Sequence, residues 1–229
     1  IALTATIFII LNNDNTYTQI FDGIFVRDAF SNFFKILILI SSIFVLILSQ
    51  VYIKDNLIEG AIFYPSPNHD SRPKNIDISL IVVHAISLPP GKYGGNEIKD
   101  FFLNKLDITR NEYFKSIENL KVSSHIVIKR TGEILQFVPF NKRAWHAGVS
   151  SYLGQENCND YSIGIELEGT DRSEFADAQY NSLVSLTRLL IKTYPHLSKD
   201  SLVGHSDIAP GRKTDPGALF KWNKLIDNL

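Results

Sequence analysis

Residues 204 to 217, GHSDIAPGRKTDPG, gather one histidine, two aspartates, an arginine and a lysine on a stretch whose two prolines and three glycines oppose a regular helix. A turn needs only one or two such residues, and loops carry function more often than packing, so the stretch is a site candidate. His205 closes the short apolar run LVGH, and the run ISLIVVH ends on a second histidine, His84. With Asp215, ten residues past His205, these make three ligands of the kind a catalytic zinc takes, leaving a fourth position for water. Imidazole and carboxylate donors without thiolate favour zinc, with cobalt or manganese able to substitute. A lone histidine at a strand end also serves packing, so spacing alone leaves both readings open. Asp207 reads as a loop-structuring side chain that bonds nearby backbone.

The elements that must position these residues come from a chain of 229 residues, 45% hydrophobic, enough for one good-sized domain plus an appendage. A formal charge of -1 provides no basic field, so no nucleic acid partner is expected. The single cysteine, Cys158, excludes an internal disulfide and any zinc site built on several thiolates. The chain starts at Ile1 and has no methionine, which reads as a fragment of a longer protein.

Two segments of different character are expected, residues 1–55 and 56–229. From Ile36 to Ile53 the sequence has no charged residue and one Gln, between Lys35 and Lys54. That length suits a membrane-spanning helix, giving membrane association through residues 29–53. A signal sequence fits less well, since the run lies far in and no small-residue cleavage site follows it. IALTATIFIIL reads as the end of another apolar helix. After Lys54 the pattern is that of an α/β domain with a central mixed sheet flanked by helices. Residues 78–84 read as a buried strand, 89–95 as an irregular loop, 97–106 as a short helix, and 122–140 as two strands joined at Thr131-Gly132. In YSIGIELE, Ile163, Ile165 and Leu167 face one side and Gly164, Glu166 and Glu168 the other. Residues 178–194 carry apolar side chains at helical spacing, 202–205 form a short strand, and 219–228 a closing helix.

Across residues 62–229, the blocks PSPNHDSRP, LIVVHAISLPPGKYGG, VSSHIVIKRTGEILQFVPFNKRAWHAGVS, CNDYSIGIELEGTD and GHSDIAPGRKTDPG resemble, in order, those of the AmpD-type anhydro-N-acetylmuramyl-L-alanine amidases. That group lies in the zinc amidase and peptidoglycan recognition protein superfamily. The resemblance implies a cytoplasmic Zn2+ enzyme that cuts the amide between N-acetylmuramic acid and L-alanine in muropeptides during peptidoglycan recycling, and a monomer is expected. It puts the metal ligands on His84, His205 and Asp215. The acid/base residue falls on Glu166, with Glu168 the runner-up, and Lys213 stabilises the oxyanion. A peptidoglycan-binding module without turnover is the rival reading. Separately, FDGIFVRDAFSNFFKILILISSIFVLILSQVYI resembles a piece of chain N of the proton-pumping NADH-quinone oxidoreductase, which suggests that the N-terminal part is a foreign fusion.

Other candidates have competing readings. Trp145 and His146 in RAWHAG could form a sugar platform, or Trp145 could be an ordinary half-buried aromatic. Arg212 could grip a stem-peptide carboxylate with a bidentate fork, or only solvate the loop. His125 could add a fourth ligand, though a strand-interior histidine is more commonly hydrogen-bonded and structural. His69 and His196 read as solvated, and Cys158 lacks an adjacent base. Ala85 stands where the family commonly has Asn, and Asn157 where a basic residue is often seen. These departures bear on sugar or peptide affinity and leave metal and catalysis untouched.

Overall fold

The computed structural model describes residues 18–20, 25–27, 29–48 and 52–229, and the chain divides into two compact units, Ile1–Gln50 and Val51–Leu229. In the first unit, strands Thr18–Ile20 and Phe25–Arg27 pair antiparallel and helix α1 spans Ala29–Leu48. Phe30, Phe33, Leu37 and Ile38 are exposed on α1. Among the described residues no helix is long and apolar enough to cross a membrane. The apolar run expected to span from Ile36 to Ile53 is not one helix. α1 ends at Leu48, and Ile53 already pairs with Ile58 in an antiparallel hairpin of the second unit. Ile58 is buried in that unit's core, and its N–H donates to Gln136 Oε1 at 2.7 Å, so the hairpin belongs to the second unit and the boundary precedes residue 55. The stretch IALTATIFIIL lies outside the described residues.

The second unit is built on a six-stranded mixed sheet of β1 (Ile62–Phe63), β2 (Leu80–Ile86), β3 (Ile126–Ile128), β4 (Ile134–Gln136), β5 (Ser162–Glu168) and β6 (Leu202–Gly204), in the order β6-β2-β5-β3-β4-β1. All neighbours run parallel except β3 and β4. The antiparallel pair follows from a tight turn, in which Gly132, at φ +86°, returns its N–H to Lys129 O. A strand buried on both faces needs a continuous apolar run, and ISLIVVH supplies one.

One face packs against α4 (Asp177–Thr193) and α6 (Trp222–Ile226). There Ile81 and Val83 of β2 and Ile163, Ile165 and Leu167 of β5 meet Tyr180, Leu183, Leu186 and Leu190, the buried stripe of α4, and Leu225. Each such aliphatic side chain contributes about 1.5–3 kcal/mol of transfer free energy. On the other face Val127 lies under Phe101, Phe102 and Phe114 of α2 (Glu97–Phe102) and α3 (Glu112–Ile117). Leu80, Val82 and Val203 lie beside Ala147, Cys158 and Ile208. α2 stops short of the expected residue 106, because Asn104 turns to φ +57°. α3 was not among the elements expected from the sequence, and α6 is shorter than expected. His205, rather than ending β6, opens the single-turn helix α5 (His205–Ile208).

Candidate metal centre

Parallel register sets the site. Glu166 of β5 lies opposite His84 of β2, and Gly204 of β6 opposite Val83, so His205 follows abreast of His84. Side chains alternate across a strand, so Glu166 and His84 stand side by side on the face away from α4.

Asp215 is brought to that row by the loop. Asp207 Oδ2 accepts the Gly204 N–H at 2.7 Å, the structuring role read from the sequence. The Ser206 N–H donates to Asp215 O at 2.9 Å and folds the loop's far end back beside His205. Gly217, at φ +90°, lets the chain pass Asp171, whose carbonyl oxygen would lie 2.0 Å from an added Cβ.

Three donor atoms converge. His84 Nδ1 lies 2.9 Å from His205 Nδ1, and Asp215 Oδ2 lies 3.2 Å and 3.1 Å from the two nitrogens. A tetrahedral centre with bonds of about 2.0–2.2 Å separates its ligand atoms by roughly 3.3–3.6 Å, so this spacing suits one shared cation. The protonation states suit it too. Burial, ahead of the opposing contact with Asp215, pushes the His84 pKa down to about 4. Burial alone would raise the Asp215 carboxyl, but its contacts with His205 and His84 outweigh that and hold it well below the usual carboxylate range. His205 Nε2 faces the carbonyl of Ala147 at 3.1 Å, which can only accept, so His205 donates there and Nδ1 is the nitrogen it turns to His84 and Asp215. Among the described residues these three form the group that could hold a metal ion.

A cavity of about 440 Å³ opens over this centre, lined by Glu166, Trp145, His146, Arg212 and Lys213 among others. Glu166 Oε2 is buried without a hydrogen-bond partner. Burial first, and the Asp215 charge second, push its pKa well above the ordinary glutamate value, against the pull of Lys213. Glu168, two residues on, is not in the cavity. Its Oε1 accepts the Gly94 N–H at 2.6 Å and its Oε2 the Arg130 N–H at 2.9 Å, so the runner-up base is a clamp on two loops.

The remaining candidates separate clearly. His125 Nδ1 accepts the Gly164 N–H at 3.1 Å and its Nε2 lies 3.1 Å from Lys142 O, which leaves no lone pair for a fourth metal bond. Trp145 and His146 both line the cavity, but His146 is buried and edge-on to His84, with ring centroids 5.0 Å apart, while Trp145 is half-buried and the more open of the pair expected as a sugar platform. Arg212 Nη2 donates to Ala147 O at 2.7 Å and Val149 O at 2.5 Å, which commits one arm of its fork to backbone. His69, expected in solvent, is half-buried in a two-stranded pairing with Lys142–Ala144, while His196 is exposed beside Asp77. Cys158 is buried with Sγ 3.2 Å from Tyr161 Oη. Missed in the sequence were Leu88, Phe101, Tyr113 and Ile117, which form an apolar end of the cavity. The amphipathic stretch around α3 was the only available signal for two of them.

Two imidazoles and a carboxylate that could hold a metal ion, with a half-buried glutamate above them whose Oε2 is unpaired, are the arrangement of a hydrolase site. Comparison with known proteins gives the family. The N-acetylmuramoyl-L-alanine amidase model, Amidase_2, matches residues 74–218, and the chain belongs to that family. It is 54% identical over 166 residues to the 1,6-anhydro-N-acetylmuramyl-L-alanine amidase AmpD of Escherichia coli, covering 72% of this chain and 90% of the relative. The AmpD of Haemophilus influenzae is 52% identical over 164 residues, with 72% and 89% covered. A crystal structure of a Se-Met AmpD derivative superposes with a TM-score of 0.75 at 50% identity, covering 77% of this chain and 98% of that one.

Proposed function

We propose that this amidase hydrolyses the bond between 1,6-anhydro-N-acetylmuramic acid and L-alanine in muropeptides, within peptidoglycan recycling. The observation that carries the reading is the buried, unpartnered Oε2 of Glu166 beside three converging donor atoms, in a chain more than half identical to AmpD over most of that relative's length. His84, His205 and Asp215 would hold zinc, which when bound supplies Lewis acidity and lowers the pKa of its water. Glu166, abreast of His84, takes the proton of the attacking water and passes it to the leaving amine. Lys213, two residues from Asp215 and on the same cavity wall, donates to the oxygen that becomes negative as the carbonyl turns tetrahedral. Trp145 offers an aromatic face to the sugar, and the free arm of Arg212 reaches toward a stem-peptide carboxylate at the cavity rim.

A binding module without turnover would need neither a proton shuttle nor an oxyanion donor, and Glu166 and Lys213 both stand beside His84, His205 and Asp215. The test measures anhydro-muropeptide binding and cleavage by the zinc-loaded chain, by the chelated chain, and by Asp215→Ala. Cleavage lost on chelation, restored by Zn2+ and absent with low zinc content in Asp215→Ala is the expected result. Binding without cleavage by the zinc-loaded wild type would assign the chain to recognition instead.

A further inference from the structure

His146 makes no contact that the catalytic cycle above uses, yet both its ring nitrogens are engaged in the interior. The directions of those bonds follow from one backbone oxygen. The Cys158 carbonyl has no hydrogen, and Ser162 Oγ lies 2.5 Å from it, so the single hydroxyl hydrogen of Ser162 must point there. Ser162 Oγ can then only accept from His146 Nε2, 3.1 Å away. His146 is buried and its two nitrogens face only Ser162 Oγ and His84, with no carboxylate to pair a charged ring, so it holds one proton, on Nε2, and leaves a lone pair on Nδ1. That lone pair faces His84 Nε2 at 2.9 Å, so His84 carries its proton on Nε2 and shows a bare Nδ1 to His205 and Asp215.

We propose that His146 is the positioning residue of the metal centre: the relay from the Cys158 carbonyl through Ser162 and His146 fixes the tautomer of His84 in which Nδ1 is free to bind a cation. The inference rests on the metal-site reading above. The relay has a definite competitor. With no acceptor at its Nε2, His84 would place the proton on Nδ1 and donate it to Asp215 Oδ2, 3.2 Å away, and so close the site with an internal hydrogen bond. Gly164 is the sequence feature that allows the arrangement. A Cβ there would lie 2.4 Å from His146 Cγ, so only glycine lets the imidazole lie over β5. The relay also accounts for a polar Ser162 at a fully buried strand position.

Partners behind a metal-bound histidine typically change affinity about 10- to 100-fold when removed. The experiment uses the full chain and two readouts, the imidazole nitrogen NMR spectrum of the metal-free protein and the Zn2+ dissociation constant by chelator competition. Wild type should show His84 protonated at Nε2. His146→Leu, which keeps bulk but offers no acceptor, should show the Nδ1-protonated form and bind Zn2+ about 10- to 100-fold more weakly. His146→Asn, with an oxygen near the Nδ1 position, should restore affinity close to wild type. Ser162→Ala leaves both rings in place and should also populate the Nδ1-protonated form, which keeps the test decisive if His146→Leu does not fold. A wild-type His84 protonated at Nδ1, or a His146→Leu chain with wild-type Zn2+ affinity, overturns the proposal. A wild type with no Zn2+ affinity would instead overturn the metal reading on which it stands.

Discussion

Glu166→Gln separates the chemistry from the fold, because rate and stability are expected to respond independently. The change keeps the shape of the side chain and removes its ability to accept a proton from water. General acid and base catalysis contributes about 100- to 10,000-fold, equivalent to about 2.7–5.4 kcal/mol at 1.36 kcal/mol per tenfold. Turnover should fall by that order. Stability should not fall with it, because in wild type Glu166 Oε2 is buried without a partner and burial penalises the charged form. A neutral amide there is no better hydrogen-bonded, but it has no charge to desolvate, a relief of about 1 kcal/mol. Relief of about 1 kcal/mol corresponds to a rise in Tm of about 2–4 °C for a domain of this size. The assay takes zinc content, thermal unfolding and anhydro-muropeptide hydrolysis from one preparation. A zinc-loaded Glu166→Gln protein cleaving at near wild-type rate would refute the assignment, and Glu168 could not take over while both its oxygens hold backbone N–H groups. A fall of several degrees in Tm would show that Glu166 serves the fold instead.

Lys213→Ala should retain zinc and lose about 10²- to 10³-fold in kcat, the usual effect of removing an oxyanion donor, with KM moving less; a larger effect on KM than on kcat would place the amine on bound substrate instead. Glu168→Ala should destabilise the chain by about 1–3 kcal/mol, since it strips the acceptor from the half-buried Arg130 N–H while water can take over the exposed Gly94 N–H, and denaturant unfolding checks this. Removing residues 1–50 should leave zinc content and specific activity unchanged, because every proposed site residue lies in the unit Val51–Leu229; loss of soluble, zinc-binding protein would refute that independence.

The α/β class and most elements of the second unit could be read from hydrophobic periodicity. ISLIVVH has a single interpretation as a strand buried on both faces, and the alternation in YSIGIELE assigned Glu166 and Glu168 to one side of β5. The three metal donors were nominated by residue type, and the resemblance of whole motif blocks selected them from among other histidines. Short-range pattern failed where nonlocal packing decides. The apolar run from Ile36 to Ile53 looks continuous in sequence, but its last residue is drawn into a hairpin by Ile58, which is buried in the core of the second unit.

What the sequence determined by itself was therefore local: strand and helix periods, a rigid loop rich in glycine and proline, and the chemical types needed for a metal-dependent amidase. Only the tertiary structure could distinguish residues of the same type. Glu166 and Glu168 share a face and a composition, yet one faces the cavity and the other is consumed by two backbone N–H groups. His84, His125, His146 and His205 are all buried. Their roles differ through the atoms opposite each ring nitrogen: two converge on Asp215, one is held by backbone groups, and one stands behind His84. The parallel register that places Glu166 and His84 abreast, with His205 just past the end of β6, joins residues from three separate elements. Function at this site depends on the direction of individual lone pairs, and that direction is set by hydrogen-bond partners far away along the chain.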